Sequence, residues 1–353
     1  MALSQSDFVA KPSAVNSSPH VKLYIFPTFA YADQRQEDAW RVRVDGVCLK
    51  SKTRRIKKKV LVNLLKRLID VDDAQLDTEL CQSRMEPFFL APSKKRKITF
   101  RLDDRPLPIA KKTKRNGQFR GKLLVPHTDL TVGSVQKGAF GLSAADQKTD
   151  TFAGDLSVQM IEPEGRSIIS DIDDTIKFSN VENRVELLKN TFMRDFTAID
   201  GMPAIYQQLC KLNYRFHYVT ASPWQLFEPL QQFIDADYPK GSMHFRTFRL
   251  SDHLLKSLGV IHRGGKAAAV RRILASFPNR KFTLIGDSGE KDVEIYSRCY
   301  RQFPDRVERI LIRLVNPEHR FRESMIEAGL LLPPKLFHPF ENPEELASIM
   351  ELS

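Results

Sequence analysis

The chain has 353 residues, 42% of them hydrophobic, with 55 Lys/Arg against 43 Asp/Glu; that length exceeds one ordinary core, so two domains are expected, and the composition excludes a disordered chain. Cys48, Cys81, Cys210 and Cys299 are far apart and share no metal-ligand spacing, which argues against a zinc site or a disulfide framework. No apolar run reaches 18 residues and the N-terminus lacks a basic start with an apolar stretch behind it, so neither a spanning helix nor a secretory signal is expected and the cytoplasm is the default compartment.

The charge is uneven. Residues 1–165 hold 29 Lys/Arg against 19 Asp/Glu, whereas residues 166–353 hold 26 against 24. An anionic surface would therefore be met mainly by the first half.

In chain order, residues 1–20 read as a flexible polar leader. "VKLYIFPTFAY" follows, with the β-branched and aromatic content of a strand. "RRIKKKVLVNLLKRLID" (54–70) sets Leu61, Leu64, Leu65 and Leu68 at helical spacing, one apolar face. Residues 52–67 carry eight Lys/Arg and no acid, so the opposite face is cationic. Such a helix either packs on a protein core or lies on an anionic membrane. "RKITFRLDD" and "GQFRGKLLVPH" read as strands around the basic "AKKTKRNG", and with Asn116-Gly117 they predict a hairpin. Residues 131–165 read as an edge strand and a linker, closing a β-rich basic domain over 21–165.

From 166 the pattern changes to short apolar runs alternating with amphipathic stretches. "SIIS", "FHYVTAS", "MHFRTFRL", "KFTLIGDS" and "RILIRLV" predict strands, and 202–213, 224–234, 266–276 and 290–302 predict helices. This alternation implies βαβ units and a largely parallel sheet, an α/β Rossmann-like domain over 166–353. Ligands bind such sheets beyond the carboxyl ends of the strands.

There the sequence crowds acids: "RSIISDIDDTIK" places Asp171, Asp173 and Asp174 directly behind an apolar strand. Asp171 and Asp173 share one side of an extended chain, and converging carboxylates need a cation; hard oxygen ligands favour Mg²⁺. A calcium loop fails because Ile176 stands where its turn requires Gly, and an isolated Asp-x-Asp would read as a solvated strand end. Three further stretches argue otherwise. "FTLIGDSGEKD" ends a second apolar strand in Gly286, Asp287 and Asp292; "HYVTASPW" ends a third in hydroxyls, with Thr220 able to donate to a phosphoryl oxygen; "GGKAAAVRRIL" starts a helix with Lys266. The last is no nucleotide-binding P-loop, since Val260 and Ala267 occupy the positions that need Gly and Ser/Thr.

Taken in order, Asp171-x-Asp173-x-Thr175, Thr220, Lys266 and Gly286-Asp287 with Asp292 resemble the four-part signature of the haloacid dehalogenase-like superfamily, over about residues 166–315. The wording "SDIDDTIK", "HYVTASPWQL" and "FTLIGDSGEKDVEIY", with the shorter "FPTFAY" and "NGQFRGKLLVP", is similar to the actin-patch-protein family of phosphatidate phosphatases. This resemblance implies a haloacid dehalogenase-type catalytic domain that hydrolyses phosphatidate to diacylglycerol and phosphate with Mg²⁺. Asp171 would be the nucleophile and Asp173 the general acid, then base. Thr175, Thr220 and Lys266 would hold phosphoryl oxygens. The metal would sit on the Asp171 carboxylate, the Asp173 backbone carbonyl and Asp287, with Asp292 as a ligand through water or behind the others. "TAS" at 220–222 departs from the Ser-Asn-Ser of many relatives: Thr220 keeps the hydroxyl, while Ala221 removes a polar group.

The implied partners are a lipid substrate and an anionic phospholipid surface visited peripherally. The alternative is the same chemistry on a soluble or nucleic-acid phosphomonoester, with the basic runs "KKRK" (94–97) and "KKTKR" (111–115) binding polyanions; it is the less expected reading. Intact Asp171, Asp173, Lys266 and Asp287 argue against a non-catalytic scaffold. Residues 176–201 leave room for only a small cap, in which Phe178, Val181, Leu187, Leu188 and Phe192 either line the site or pack.

Overall fold

The computed structural model describes residues 21–352 apart from 34–37, 54, 104, 109–111, 131–134, 137, 147–150 and 247–264. The chain forms two compact units, one from residues 1–53 and 90–160, the other from 54–89 and 161–353.

The first unit is a ten-stranded sheet. Its strands are β1 (Val21–Ile25), β2 (Thr28–Ala32), β3 (Ala39–Thr53), β4 (Leu90–Pro92), β5 (Ile98–Leu102), β6 (Arg105–Pro108), β7 (Gln118–Pro126), β8 (Val135–Gln136), β9 (Ala139–Asp146) and β10 (Thr151–Ile161). Period-two alternation builds its core: Val42 and Val44 of β3 point inward with Phe119, Leu123 and Val125 of β7 and with Phe100, Leu142 and Val158, leaving Arg41, Arg43 and Asp45 on the other face.

The expected hairpin around Asn116-Gly117 is corrected here. β7 pairs antiparallel with the 15-residue β3, from Ala39↔Pro126 to Val47↔Gln118, while β5 pairs with β6 and β9. The ring of Phe119 lies where Gly46 has no side chain; a Cβ there would meet the backbone oxygen of Tyr24 as well as that ring. The 131–165 stretch likewise supplies β8, β9 and β10 rather than one edge strand and a linker.

The second unit takes in the helical insert that the sequence places within the β-rich region: α1 (Arg55–Ile69), α2 (Asp73–Leu76) and α3 (Glu79–Phe89). Packing explains the grouping. Arg84 lies over the Phe196 ring at 4.0 Å and donates to the Thr191 and Arg194 carbonyls at 3.0 and 2.5 Å, and Phe88 meets Phe192 edge-on at 5.8 Å. On α1, Leu65 and Ile69 are buried and Lys59 is exposed; the side chains of Lys57, Lys58, Leu61 and Leu64 lie outside the described residues. Leu65 and Ile69 of α1 thus pack within its own unit.

The rest of this unit is a parallel six-stranded sheet, β13-β12-β11-β14-β15-β16, from β11 (Arg166–Ser170), β12 (Arg215–Pro223), β13 (Gly241–Arg246), β14 (Lys281–Asp287), β15 (Val307–Arg313) and β16 (Phe337–Phe340). Its connecting helices are α4 (Arg184–Phe192), α5 (Met202–Lys211), α6 (Phe227–Asp237), α7 (Gly265–Ser276), α8 (Asp292–Gln302), α9 (Glu323–Leu331) and α10 (Pro343–Ile349). Ile168, Ile169, Leu284, Ile285, Ile310 and Leu311 are fully buried, as expected of strands covered on both faces. The chain runs from β11 outward to β12 and β13, then returns to the other side of β11 with β14. That reversal puts a crevice at the carboxyl ends of β11, β12 and β14.

Candidate active site

Asp171 immediately follows β11, and its N–H donates to the Ile285 carbonyl of β14 at 2.9 Å. Across the crevice Asp287 ends β14, and Asp292 opens α8. Gly286 makes their approach possible, because a Cβ there would lie 2.7 Å from Asp292 Cβ. One carboxylate oxygen from each of Asp171, Asp287 and Asp292 falls within 4.8 Å of the others, and all three residues are fully buried. Lys266, in the first turn of α7, reaches this cluster: its Nζ is 2.6 Å from Asp171 Oδ1, forms an ion pair with Asp292, and lies 3.4 Å from Glu290. Although burial works to lower the lysine pKa, Asp171, Asp292 and Glu290 hold it well above the ordinary value.

One ammonium cannot balance three buried carboxylates and Glu290. Burial pushes Asp171 well above the usual carboxylate range despite Lys266, with Asp292, Glu290 and Asp287 adding to the rise. Asp287 moves the same way, through burial and then Asp292. Its Oδ1 accepts from the Gly289 and Glu290 N–H groups at 2.6 and 2.9 Å, whereas its Oδ2 is buried without a hydrogen-bonding partner among the described residues. An orphaned buried oxygen within an over-anionic oxygen cage fits a hard divalent cation.

Asp173 stands in contrasting surroundings. Its Oδ1 faces Lys177 Nζ at 2.9 Å and accepts from Ser179 Oγ at 2.8 Å; its Oδ2 accepts from Ser222 Oγ at 2.8 Å and Thr220 Oγ1 at 3.2 Å. Burial alone would raise its pKa, but Lys177 and the Ser179 and Ser222 hydroxyls bring it down to about 2. The carboxylate of Asp173 therefore lies outside the Asp171, Asp287 and Asp292 cluster; its expected metal contact, through the backbone carbonyl, is a separate matter.

Asp174 has a third task. At φ +51°, it turns its carboxylate back to accept from the N–H groups of Ser179, Asn180 and Val181 at 2.8, 2.9 and 2.6 Å, while Arg313 donates to its carbonyl at 2.9 Å. This fixes the loop that carries Lys177 and Ser179. The three crowded acids thus divide into one facing a cation-deficient cage, one clamped by donors, and one anchoring a loop.

Thr175 donates to Asp171 Oδ2 at 3.3 Å. Every expected site residue, Asp171, Asp173, Thr175, Thr220, Lys266, Asp287 and Asp292, falls within this network. Sequence reasoning missed Lys177, Ser179, Ser222 and Glu290. Ser222 could have been found: two residues beyond Thr220 on an extended strand, it presents its hydroxyl to the same side. Leu188 and Phe192 pack inward, whereas Phe178 is half exposed.

A parallel-sheet α/β domain with a buried acid and lysine centre at its carboxyl edge is the class that fold and site define. Residues 166–314 match the family model described as "Phosphatidate phosphatase APP1, catalytic domain". The chain is 36% identical over 173 residues to the phosphatidate phosphatase APP1 of Saccharomyces cerevisiae, covering 48% of this chain and 28% of that protein. It is 33% identical over 162 residues to an uncharacterized protein of Schizosaccharomyces pombe, covering 44% of this chain and 26% of that one. The chain therefore spans just over a quarter of the length of these relatives. Over residues 166–314 the chain is thus similar to the catalytic domain of the APP1 phosphatidate phosphatases.

Proposed function

We propose that this protein is a Mg²⁺-dependent phosphatase of the haloacid dehalogenase type that hydrolyses phosphatidate to diacylglycerol and phosphate through an aspartyl-phosphate. The carrying observation is the opposite environment of two carboxylates two residues apart: Asp171 against Lys266 Nζ at 2.6 Å and beside Asp287 and Asp292, Asp173 against the hydroxyls of Thr220 and Ser222. The kinship with a phosphatidate phosphatase supplies the lipid.

Asp171, Asp287 and Asp292, with the Asp173 backbone carbonyl, would hold Mg²⁺, which when bound supplies positive charge against the incoming phosphate. Phosphate esters repel anionic nucleophiles, so Lys266 would be needed beside the attacking oxygen. In the first half, an Asp171 oxygen bonds to phosphorus, the bond from phosphorus to the glycerol oxygen breaks, and Asp173 delivers a proton to the departing alkoxide. In the second, Asp173 takes a proton from a water whose oxygen attacks the same phosphorus, releasing phosphate and restoring the Asp171 carboxylate.

An acid whose pKa is about 2 without substrate must first regain its proton. A phosphate dianion brought beside Asp173 raises that pKa, and reorienting the Thr220 and Ser222 hydroxyls toward phosphoryl oxygens withdraws two of its donors. Clamping and release are thus built from the same groups.

The test is phosphate release from phosphatidate in mixed micelles with Mg²⁺, wild type against Asp171→Asn, with a soluble aryl phosphate as control. Release from the lipid that vanishes in the variant is expected. Release from the aryl phosphate alone would keep the chemistry and move the substrate to a soluble or nucleic-acid ester.

A further inference from the structure

Two basic runs separated in sequence are stitched together on the first unit. Lys95 N–H donates to the Thr113 carbonyl at 3.0 Å, Thr113 N–H donates to the Arg96 carbonyl at 2.9 Å, and Thr113 Oγ1 accepts from Arg96 N–H at 2.9 Å while donating to the Ser93 carbonyl at 2.8 Å. Ser93 and Thr113 are buried, so the seam is part of the fold. Around it Lys94, Lys95, Lys97, Lys112, Lys114 and Arg115 are exposed.

Neither 93–97 nor 111–117 contains an acidic residue, and none of those six side chains forms an ion pair among the described residues. By contrast, Arg120 and Arg105 of the same sheet pair with Asp45 and Asp129. Six cations without an ion pair among the described residues, on one seam, are an electrostatic surface held by backbone hydrogen bonds.

We propose that this seam is a docking surface for the anionic face of a phospholipid bilayer, recruiting the enzyme to the membrane that holds its substrate; the choice of a bilayer rests on the lipid reading above. One observation favours it over a nucleic acid. The cluster lies on irregular and turn backbone between the strands, and no aromatic residue occurs within 93–97 or 111–117 for bases to stack on. The other basic element, α1, buries Leu65 and Ile69 inside the protein and cannot offer those residues to a bilayer.

Binding is measured with the full chain by sedimentation with vesicles of phosphatidylcholine containing phosphatidylserine, against pure phosphatidylcholine. The comparison is between wild type, the quadruple variant Lys94→Gln, Lys97→Gln, Lys112→Gln and Lys114→Gln, and the charge-keeping set Lys94→Arg, Lys97→Arg, Lys112→Arg and Lys114→Arg. Loss of roughly 600-fold in partitioning is expected for the Gln set, from roughly 5-fold for each of the four cations, with the Arg set retaining binding and both keeping the wild-type melting temperature. Wild-type binding by the Gln set, equal binding to neutral vesicles, or preference for RNA over vesicles would each overturn the proposal. Charge-dependent vesicle binding without phosphatidate hydrolysis would support the surface while removing the lipid-substrate reading.

Discussion

Asp171 and Asp173 are two residues apart, both buried, and pushed in opposite directions. Asp171 looks across the crevice into carboxylates, with Lys266 as its cation, and its pKa rises. Asp173 looks toward Lys177, Ser179, Thr220 and Ser222, and its pKa falls to about 2. Two identical side chains acquire different roles from their neighbours, the pattern by which acid and nucleophile are separated in many active sites. The first surroundings hold too little positive charge for their carboxylates; the second are well supplied with donors.

The largest effects should come from the cation-deficient side. Asp171→Asn should lower turnover of phosphatidate and of an aryl phosphate alike by at least about 10⁴-fold, measured as phosphate release. Chelation of divalent cations should abolish turnover, and adding Mg²⁺ should raise the melting temperature by roughly 2–4 °C if it contributes about 1 kcal/mol, read by thermal unfolding. Full activity in chelator would remove the metal from the scheme. Lys266→Met leaves Asp171 and Asp292 facing each other without an ammonium, and should cost about 10²- to 10³-fold in kcat and about 3 kcal/mol in urea unfolding.

The donor-rich side should respond more gently and selectively. Ser222→Ala removes one of four donors to Asp173 and should slow phosphatidate by about 10-fold, with a smaller effect on an aryl phosphate, whose leaving group needs less protonation. A pH prediction follows from the sign of the shift. Because the folded pKa of Asp173 is below its ordinary value, its ionised form stabilises the fold above about pH 4, and that contribution is lost as pH falls toward 2. About 2 kcal/mol is at stake, and it should be missing from the pH dependence of unfolding in Lys177→Met.

Much of this contrast was legible in the sequence, for a physical reason. Asp171, Thr220, Lys266 and Asp287 sit at strand or helix ends, and apolar runs announce those ends without knowledge of tertiary structure. The partners of Asp173 were less visible. Lys177 and Ser179 reach it only because Asp174, at positive φ, folds the chain back on itself, and no local pattern encodes that turn. The strand pairing of the first unit was hidden for a similar reason: Asn116-Gly117 signals a turn but not its partner strand, and β7 pairs with β3 some seventy residues earlier. The placement of α1 to α3 depends on Arg84 and Phe88 meeting Phe196 and Phe192, contacts about a hundred residues apart.

The most direct test of the central claim, that Asp171 carries the phosphoryl group, is to trap it. Enzyme quenched during turnover of phosphatidate would be treated with borohydride, which reduces an acyl phosphate to an alcohol, and digested for peptide mass analysis. The account predicts homoserine at position 171, absent when substrate is omitted. Unmodified Asp171 under full turnover, or reduction at Asp173 instead, would contradict it.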